Sequence, residues 1–180
     1  PMPKMMPSCK TGVMDGMEVK GITSERALDA RKAVTEFLLI NHPLDCPVCD
    51  QAGECDLQNL SFQHGLGKTR FKEEKRTFEP ENIGDKIQLH MNRCILCYRC
   101  VHTAEQICGS RNHGVLNRGD HSQISTYIST AIDHEMSGNM NHVFPVGALS
   151  VKAFRFKSRC WFNYHFKSLF LFYFNSLFEM

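Results

Sequence analysis

Apolar positions return at helical spacing over one sustained stretch near the start of this chain. Ser24 is a capping type, Glu25 falls in the first turn, and Ala27, Ala30, Val34, Phe37 and Leu38 recur on one face. A helix is therefore predicted from residue 24 until Asn41-His42-Pro43 ends it. Residues 56–64 predict a short second helix, stopped by Gly65 and Gly67, and the charged stretch 68–86 reads as surface. The period then changes to two. Ile87, Leu89 and Met91 alternate with polar neighbours and predict a strand running into Cys94. Another helix is expected over residues 98–107, ending at Gly109, with short strands at 115–116, 124–128 and 148–156. Residues 1–23, rich in Met, Pro and Gly, show no sustained period and read as irregular chain. The sum is an α+β body of short elements, organised around ligands.

Composition adds little to this. Hydrophobic content of 42% and charged content of 22% are ordinary, and a net charge of +2 does not suggest a nucleic-acid partner. The opening Pro1-Met2-Pro3-Lys4 lacks the charged start and apolar core of a signal peptide. Residues 161–180 are crowded with aromatics, but the apolar run 169–174 falls far short of the ~20 residues that a membrane-crossing helix needs. That tail reads as a docking surface for a partner, and no transmembrane span is expected.

The cysteines change the picture. Nine is an odd count for a disulfide framework, and seven of the nine lie between Cys46 and Cys108. Six of these form two tight groups, His42-x3-Cys46-x2-Cys49-x5-Cys55 and Cys94-x2-Cys97-x2-Cys100. For the first group the spacing admits tetrahedral zinc, with Cys46 and Cys49 as one pair and Cys55 and His42 completing it. It equally admits an iron–sulfur cluster. In the second group, three thiols at steps of three wrap one object, and a cubane cluster offers each of them a different iron. His42, four residues ahead of Cys46, is read as a ligand. A neutral imidazole there removes one negative charge and favours the reduced cluster. Cys108 and Cys160 are read as small buried apolar residues. No G-x-G-x-x-G loop is visible, and no histidine stands beside a nucleophile or a paired acid. Electron relay is the function this chemistry offers, and a structural zinc module mediating protein contacts is the alternative.

The run Asn41-His42-Pro43-Leu44-Asp45-Cys46-Pro47-Val48-Cys49-Asp50-Gln51-Ala52-Gly53-Glu54-Cys55-Asp56-Leu57-Gln58 resembles the signature of the large iron–sulfur (75 kDa) subunit family of respiratory complex I. The resemblance implies that His42, Cys46, Cys49 and Cys55 hold one [4Fe–4S] cluster. Arg93-Cys94-Ile95-Leu96-Cys97-Tyr98-Arg99-Cys100 is similar to the family's second cluster motif, which implies that Cys94, Cys97 and Cys100 serve a second [4Fe–4S] cluster. Similarity continues through Gly119, Tyr127-Ile128, Glu135-Met136-Ser137-Gly138-Asn139 and Pro145-Val146-Gly147-Ala148-Leu149, from about Pro7 to Trp161.

Three departures accompany it. The family places the fourth ligand of the second cluster immediately before that last segment, where this chain has Phe144. His142 or a non-protein ligand then caps that iron, or the cluster is [3Fe–4S] or missing, or the sequence is in error there. Cys9 matches the last of four ligands in the family's [2Fe–2S] domain, so residues 1–23 read as its remnant and Cys9 as sharing a [2Fe–2S] cluster with another polypeptide. After residues 24–86, the module with one histidine and three cysteines, and 87–160, a ferredoxin-like second-cluster domain, the family's molybdopterin-like domain has no counterpart. A split subunit is the expectation, with separate chains supplying the [2Fe–2S] and molybdopterin-like domains. The resemblance further implies electrons passing from NADH, through a flavin subunit, towards ubiquinone, in the matrix-facing arm of complex I at the mitochondrial inner membrane. Iron-only hydrogenases share the motif of one histidine and three cysteines, but they follow the triplet with a Cys-Pro where this chain has Cys108-Gly109.

Overall fold

Two short antiparallel strand pairs and four helices make up the computed structural model, which describes residues 4–21, 24–79, 81–127 and 131–162. The α+β class expected from the sequence is what the chain adopts. Its elements are α1 (Glu25–Leu39), α2 (Asp56–His64), β1 (Ile87–Leu89), α3 (Arg99–Gln106), β2 (His113–Leu116), β3 (Gln123–Thr126), α4 (Met140–Val143) and β4 (Leu149–Val151). β1 pairs with β4, placing Ile87 opposite Val151 and Leu89 opposite Leu149. β2 pairs with β3, from His113 opposite Thr126 to Leu116 opposite Gln123. Residues 1–3, 22–23, 80, 128–130 and 163–180 lie outside the described residues, so Ile128 and most of the aromatic tail do too.

A two-stranded pair is marginal on its own and needs packing from other elements. Here that packing comes from residues 144–150, all of which are buried. One core joins Val146, Ala148 and Leu149 of that strip to Leu57 of α2, Ile87 and Leu89 of β1, Cys100 and Ala104 of α3, Ile124 of β3 and Met140 of α4.

Three expectations need correcting. Helix α1 forms, but it is turned by one residue, about 100° on a helix of 3.6 residues per turn. Val34 and Phe37 are 60% and 74% exposed, whereas Thr35 is buried and Leu38 and Leu39 pack on the core. The sequence pattern is ambiguous because adjacent apolar residues widen the stripe. Thr35 takes an inward place because its hydroxyl donates to the Arg31 carbonyl at 2.9 Å and so is not left unpaired. Ser24 precedes the helix without making a side-chain cap. The strand expected at Ile87, Leu89 and Met91 stops at Leu89. Met91 remains buried, but it begins a 3-10 turn that carries the chain into Cys94. The strand expected over 148–156 covers only Leu149–Val151. Past Lys152, whose N–H donates to the Lys86 carbonyl at 2.9 Å, the chain turns back on itself, with the Phe154 and Arg155 N–H groups donating to the Val151 carbonyl at 3.1 and 3.0 Å. No helix among the described residues is long and apolar enough to cross a membrane.

Ile87 has no exposed surface and anchors both the sheet and the strip. Ile87→Ala is expected to cost about 2–5 kcal/mol. Phe37→Ser, on the outward face of α1, is expected to stay within about 0.5 kcal/mol. Denaturation midpoints of the two variants check the orientation of the helix directly.

Candidate iron–sulfur centre

Helix α1 ends close to the first thiol group. The His42 N–H donates to the Leu39 carbonyl at 3.2 Å, and Lys75 Nζ donates to the His42 carbonyl at 2.6 Å, pinning the turn. The imidazole Nδ1 is buried and has no hydrogen-bond partner. Burial, followed by the charges of Lys75 and Arg93, holds the His42 pKa below its ordinary value, so the ring is neutral. Cys46–Val48 then forms a 3-10 turn, and the Cys49 N–H closes on the Cys46 carbonyl at 3.3 Å. Cys55 caps α2 from its N-terminal side. Burial pushes its thiol upward, while the N–H groups of Gln58 and Leu57 act against that and the thiols of Cys49 and Cys46 reinforce it. A helix start that aims N–H groups at a sulfur stabilises thiolate.

The second group is wrapped more tightly. Leu96 and Tyr98 alternate with its cysteines, and both have left-handed backbone, φ 55° and φ 60°. A bulky residue held in that region costs about 1–3 kcal/mol, strain that collects at functional sites. It turns the loop so that the Leu96 N–H points at Cys94 Sγ, 3.4 Å away. Burial raises the Cys94 thiol, partly offset by that N–H. Cys100, in the first turn of α3, is pushed up to about 12 by burial and then by Cys94. Thiols so placed ionise when a metal takes the proton's place.

The buried strip runs between the two groups. Its Pro145 carbonyl accepts the Asp56 N–H at 3.1 Å and faces Cys55 Sγ at 3.6 Å. A Cβ added at Gly147 would meet Cys49 Sγ at 2.3 Å, so only glycine leaves that sulfur its place. At the strip's start, Phe144 shares a narrow apolar space of about 10 Å³ with Cys100 and His113. A second tie is ionic: buried Arg93, beside Cys94, bonds Asp45, beside Cys46, at 2.9 Å.

Among the described residues, no three His, Cys, Asp or Glu side chains stand close enough to share one metal ion. Neutral His42 with an orphaned nitrogen, N–H groups aimed at Cys55 and Cys94, and the glycine cradle at Cys49 all fit a thiolate-held cluster.

Other residues fall differently. Cys9 is exposed on the segment before α1, and Cys108 and Cys160, expected to be buried, are half-buried. Cys160 Sγ donates to the Ala52 carbonyl at 3.3 Å, and Arg159 donates to the Cys49 carbonyl at 2.5 Å. The loop of the first group is thus covered from more than 100 residues away. Spacing along the chain carries no signal for these two. His142 is exposed.

Comparison with known proteins agrees with this geometry. Residues 31–70 match the NADH-ubiquinone oxidoreductase-G iron-sulfur binding region, and residues 84–150 match the ferredoxin-like domain of NADH-quinone oxidoreductase subunit 3. The NADH-ubiquinone oxidoreductase 75 kDa subunit of Reclinomonas americana is 46% identical over 159 residues, 88% of this chain and 23% of that protein. The mitochondrial NADH-ubiquinone oxidoreductase 78 kDa subunit of Candida albicans is 49% identical over 162 residues, 89% of this chain and 22% of that protein. A solved structure of an NAD+-reducing [NiFe]-hydrogenase superposes with a TM-score of 0.67 at 28% identity, covering 76% of this chain and 59% of that one. Thiol spacing, fold and matched regions define an iron–sulfur protein with a ferredoxin-like domain. The chain belongs to the family of the 75 kDa subunit of NADH-ubiquinone oxidoreductase, which also includes a NADH-quinone oxidoreductase subunit of Rickettsia felis. It spans about a quarter of the length of these relatives.

Two measurements probe the geometry. Gly147→Ala should displace Cys49 and lower the iron and sulfide bound per chain. Gly114→Ala, where an added Cβ meets nothing within 4 Å, should leave both unchanged. The pH dependence of the iron-free chain has a definite sign. Cys55, Cys94 and Cys100 titrate higher folded than unfolded, so their stabilisation is full below pH 9.0 and is lost as pH rises through their folded values, at Cys100 about 12. His42, His90 and His113 titrate lower folded than unfolded, so theirs is present above pH 6.5 and lost as pH falls. Denaturation midpoints should therefore plateau between pH 6.5 and 9.0 and fall on either side.

Proposed function

We propose that this chain relays single electrons between two iron–sulfur clusters within an NADH–quinone oxidoreductase assembly. His42, Cys46, Cys49 and Cys55 hold one [4Fe–4S] cluster, and Cys94, Cys97 and Cys100 hold the second. The observation that carries the reading is the placement of both thiol groups against one buried strip, tied by Arg93 and Asp45 at 2.9 Å. When bound, such clusters accept and release one electron at a time, at potentials set by ligand charge, burial and hydrogen bonds to sulfur.

The chain's own residues supply those settings. Residues 144–150 keep water from the space between the groups. The N–H groups of Leu57, Gln58 and Leu96 stabilise negative sulfur, and His42 lowers the ligand charge of the first site by one. Residues 24–86 and 87–160 act as the two cluster-binding units. Cys9 completes a [2Fe–2S] cluster shared with another polypeptide, a role its exposure leaves open to a partner. Partners are other subunits of the assembly, among them the one carrying the flavin that takes electrons from NADH, and ubiquinone is the distant acceptor. The setting is the matrix-facing arm at the mitochondrial inner membrane, consistent with mitochondrial relatives. Phe37, Phe62 and Trp161, at 74%, 83% and 56% exposed, offer apolar surface to neighbouring subunits.

Cys49→Ala is expected to remove the first cluster and stall NADH-to-quinone electron transfer in the assembled complex. Unchanged turnover in that variant, or zinc without acid-labile sulfide in the purified chain, would overturn the proposal.

A further inference from the structure

The second site offers three thiols, and a four-iron cubane has four corners to fill. Beside Cys100, one of those thiols, stands a buried imidazole whose nitrogens are left without hydrogen bonds. His113, the first residue of β2, is only 7% exposed. Neither of its ring nitrogens has a hydrogen-bond partner. Leaving a buried polar atom unpaired is costly, and an imidazole carries two such atoms. The ring faces the apolar space it shares with Cys100 and Phe144. The carbonyl of Cys100 lies close enough to act on it without meeting hydrogen-bond geometry.

From this juxtaposition we infer that His113 supplies the fourth ligand of the second cluster, one ring nitrogen donating its lone pair to the iron that no cysteine reaches. The inference rests on the reading of Cys94, Cys97 and Cys100 as cluster ligands. Rival donors are less well placed. His142 is exposed, on the outer side of α4. His134 also has two unpartnered buried nitrogens and interacts electrostatically with His113, but it does not line the space that holds Cys100. Phe144 fills part of that space and has no donor atom. A neutral ring in place of a fourth thiolate would leave both clusters with three thiolates and one imidazole, each biased towards its reduced state.

The test uses the full chain loaded anaerobically with ferrous iron and sulfide, then reduced and read by pulsed electron paramagnetic resonance for nitrogen coupling. Two imidazole couplings are expected. His42→Cys should abolish one. His113→Ala should abolish the other and, in a portion read before reduction, show the signal of an oxidised three-iron cluster, a loss of one iron in four at that site. His134→Ala and His142→Ala should change neither. Phe144→Cys added to His113→Ala should restore the fourth iron without restoring the second nitrogen coupling, and with a lower midpoint potential at that site. Should His113→Ala fail to fold, His42→Cys combined with His134→Ala and with His142→Ala still decides, because each double variant must retain one imidazole coupling. Persistence of the second coupling in folded His113→Ala, its loss in His134→Ala instead, or its absence from a chain holding two full cubanes overturns the role of His113 alone. Iron and sulfide for a single cubane, with none lost in Cys97→Ala, removes the second cluster itself and this inference with it.

Discussion

Both groups of thiols depend on one buried strip, residues 144–150. Its backbone meets Cys55, its glycine makes room for Cys49, and its first side chain faces Cys100. Because the strip is wholly buried and ends in the β4 strand paired with β1, its position is set by the core as a whole. The separation of the two sites is therefore a property of hydrophobic packing, and an electron-carrying role needs that separation to be rigid.

Packing that places sulfur out of water also works against its ionisation. Burial drives Cys55, Cys94 and Cys100 towards the neutral thiol, most strongly at Cys100. The fold answers locally, with N–H groups at the start of α2 and in the strained turn at Leu96 and Tyr98 directed at the sulfurs. Those groups offset only part of the cost. Iron coordinated there, as proposed, would offset the remainder, since it replaces the proton and brings positive charge into the same low-dielectric space. Backbone strain between the second set of cysteines, and buried imidazole nitrogens without partners beside both sets, have the same cause. They persist only where a bound group compensates them.

Distant chain completes the first site. Arg159 and Cys160 bond the carbonyls of Cys49 and Ala52, and the Phe156 N–H donates to Asp50 Oδ1 at 3.0 Å. Gly53, with φ 92°, lets Cys160 and Trp161 approach within less than the contact distance a Cβ would allow. The loop between Cys49 and Cys55 is thereby held from the outside as well as by the strip. Exposed Trp161 and Phe162 continue this cover onto the surface.

The candidate ligands stand out in the sequence because their spacing is local. His42 and the six cysteines lie at short spacings that a turn or a helix start converts directly into a cradle, and the helices at 56–64 and 99–106 appear nearly where the pattern places them. The α+β class followed from the change of period along the chain. What the pattern could not decide were matters of orientation and of pairing across long separations. The face that α1 turns inward depends on what α1 packs against, so Thr35 is buried and Val34 is not. The length of β4 is set by its pairing with Ile87–Leu89 of β1 and by the turn that closes on the Val151 carbonyl. Tertiary structure alone brings Gly147 to Cys49, Arg93 to Asp45, Arg159 to the first loop, and His113 to the space beside Cys100. Residue type and spacing determine which atoms can bind iron, because that is a property of short chain. Which of them meet, and what stands at the remaining corner, is decided only when the core closes and excludes water from the space between.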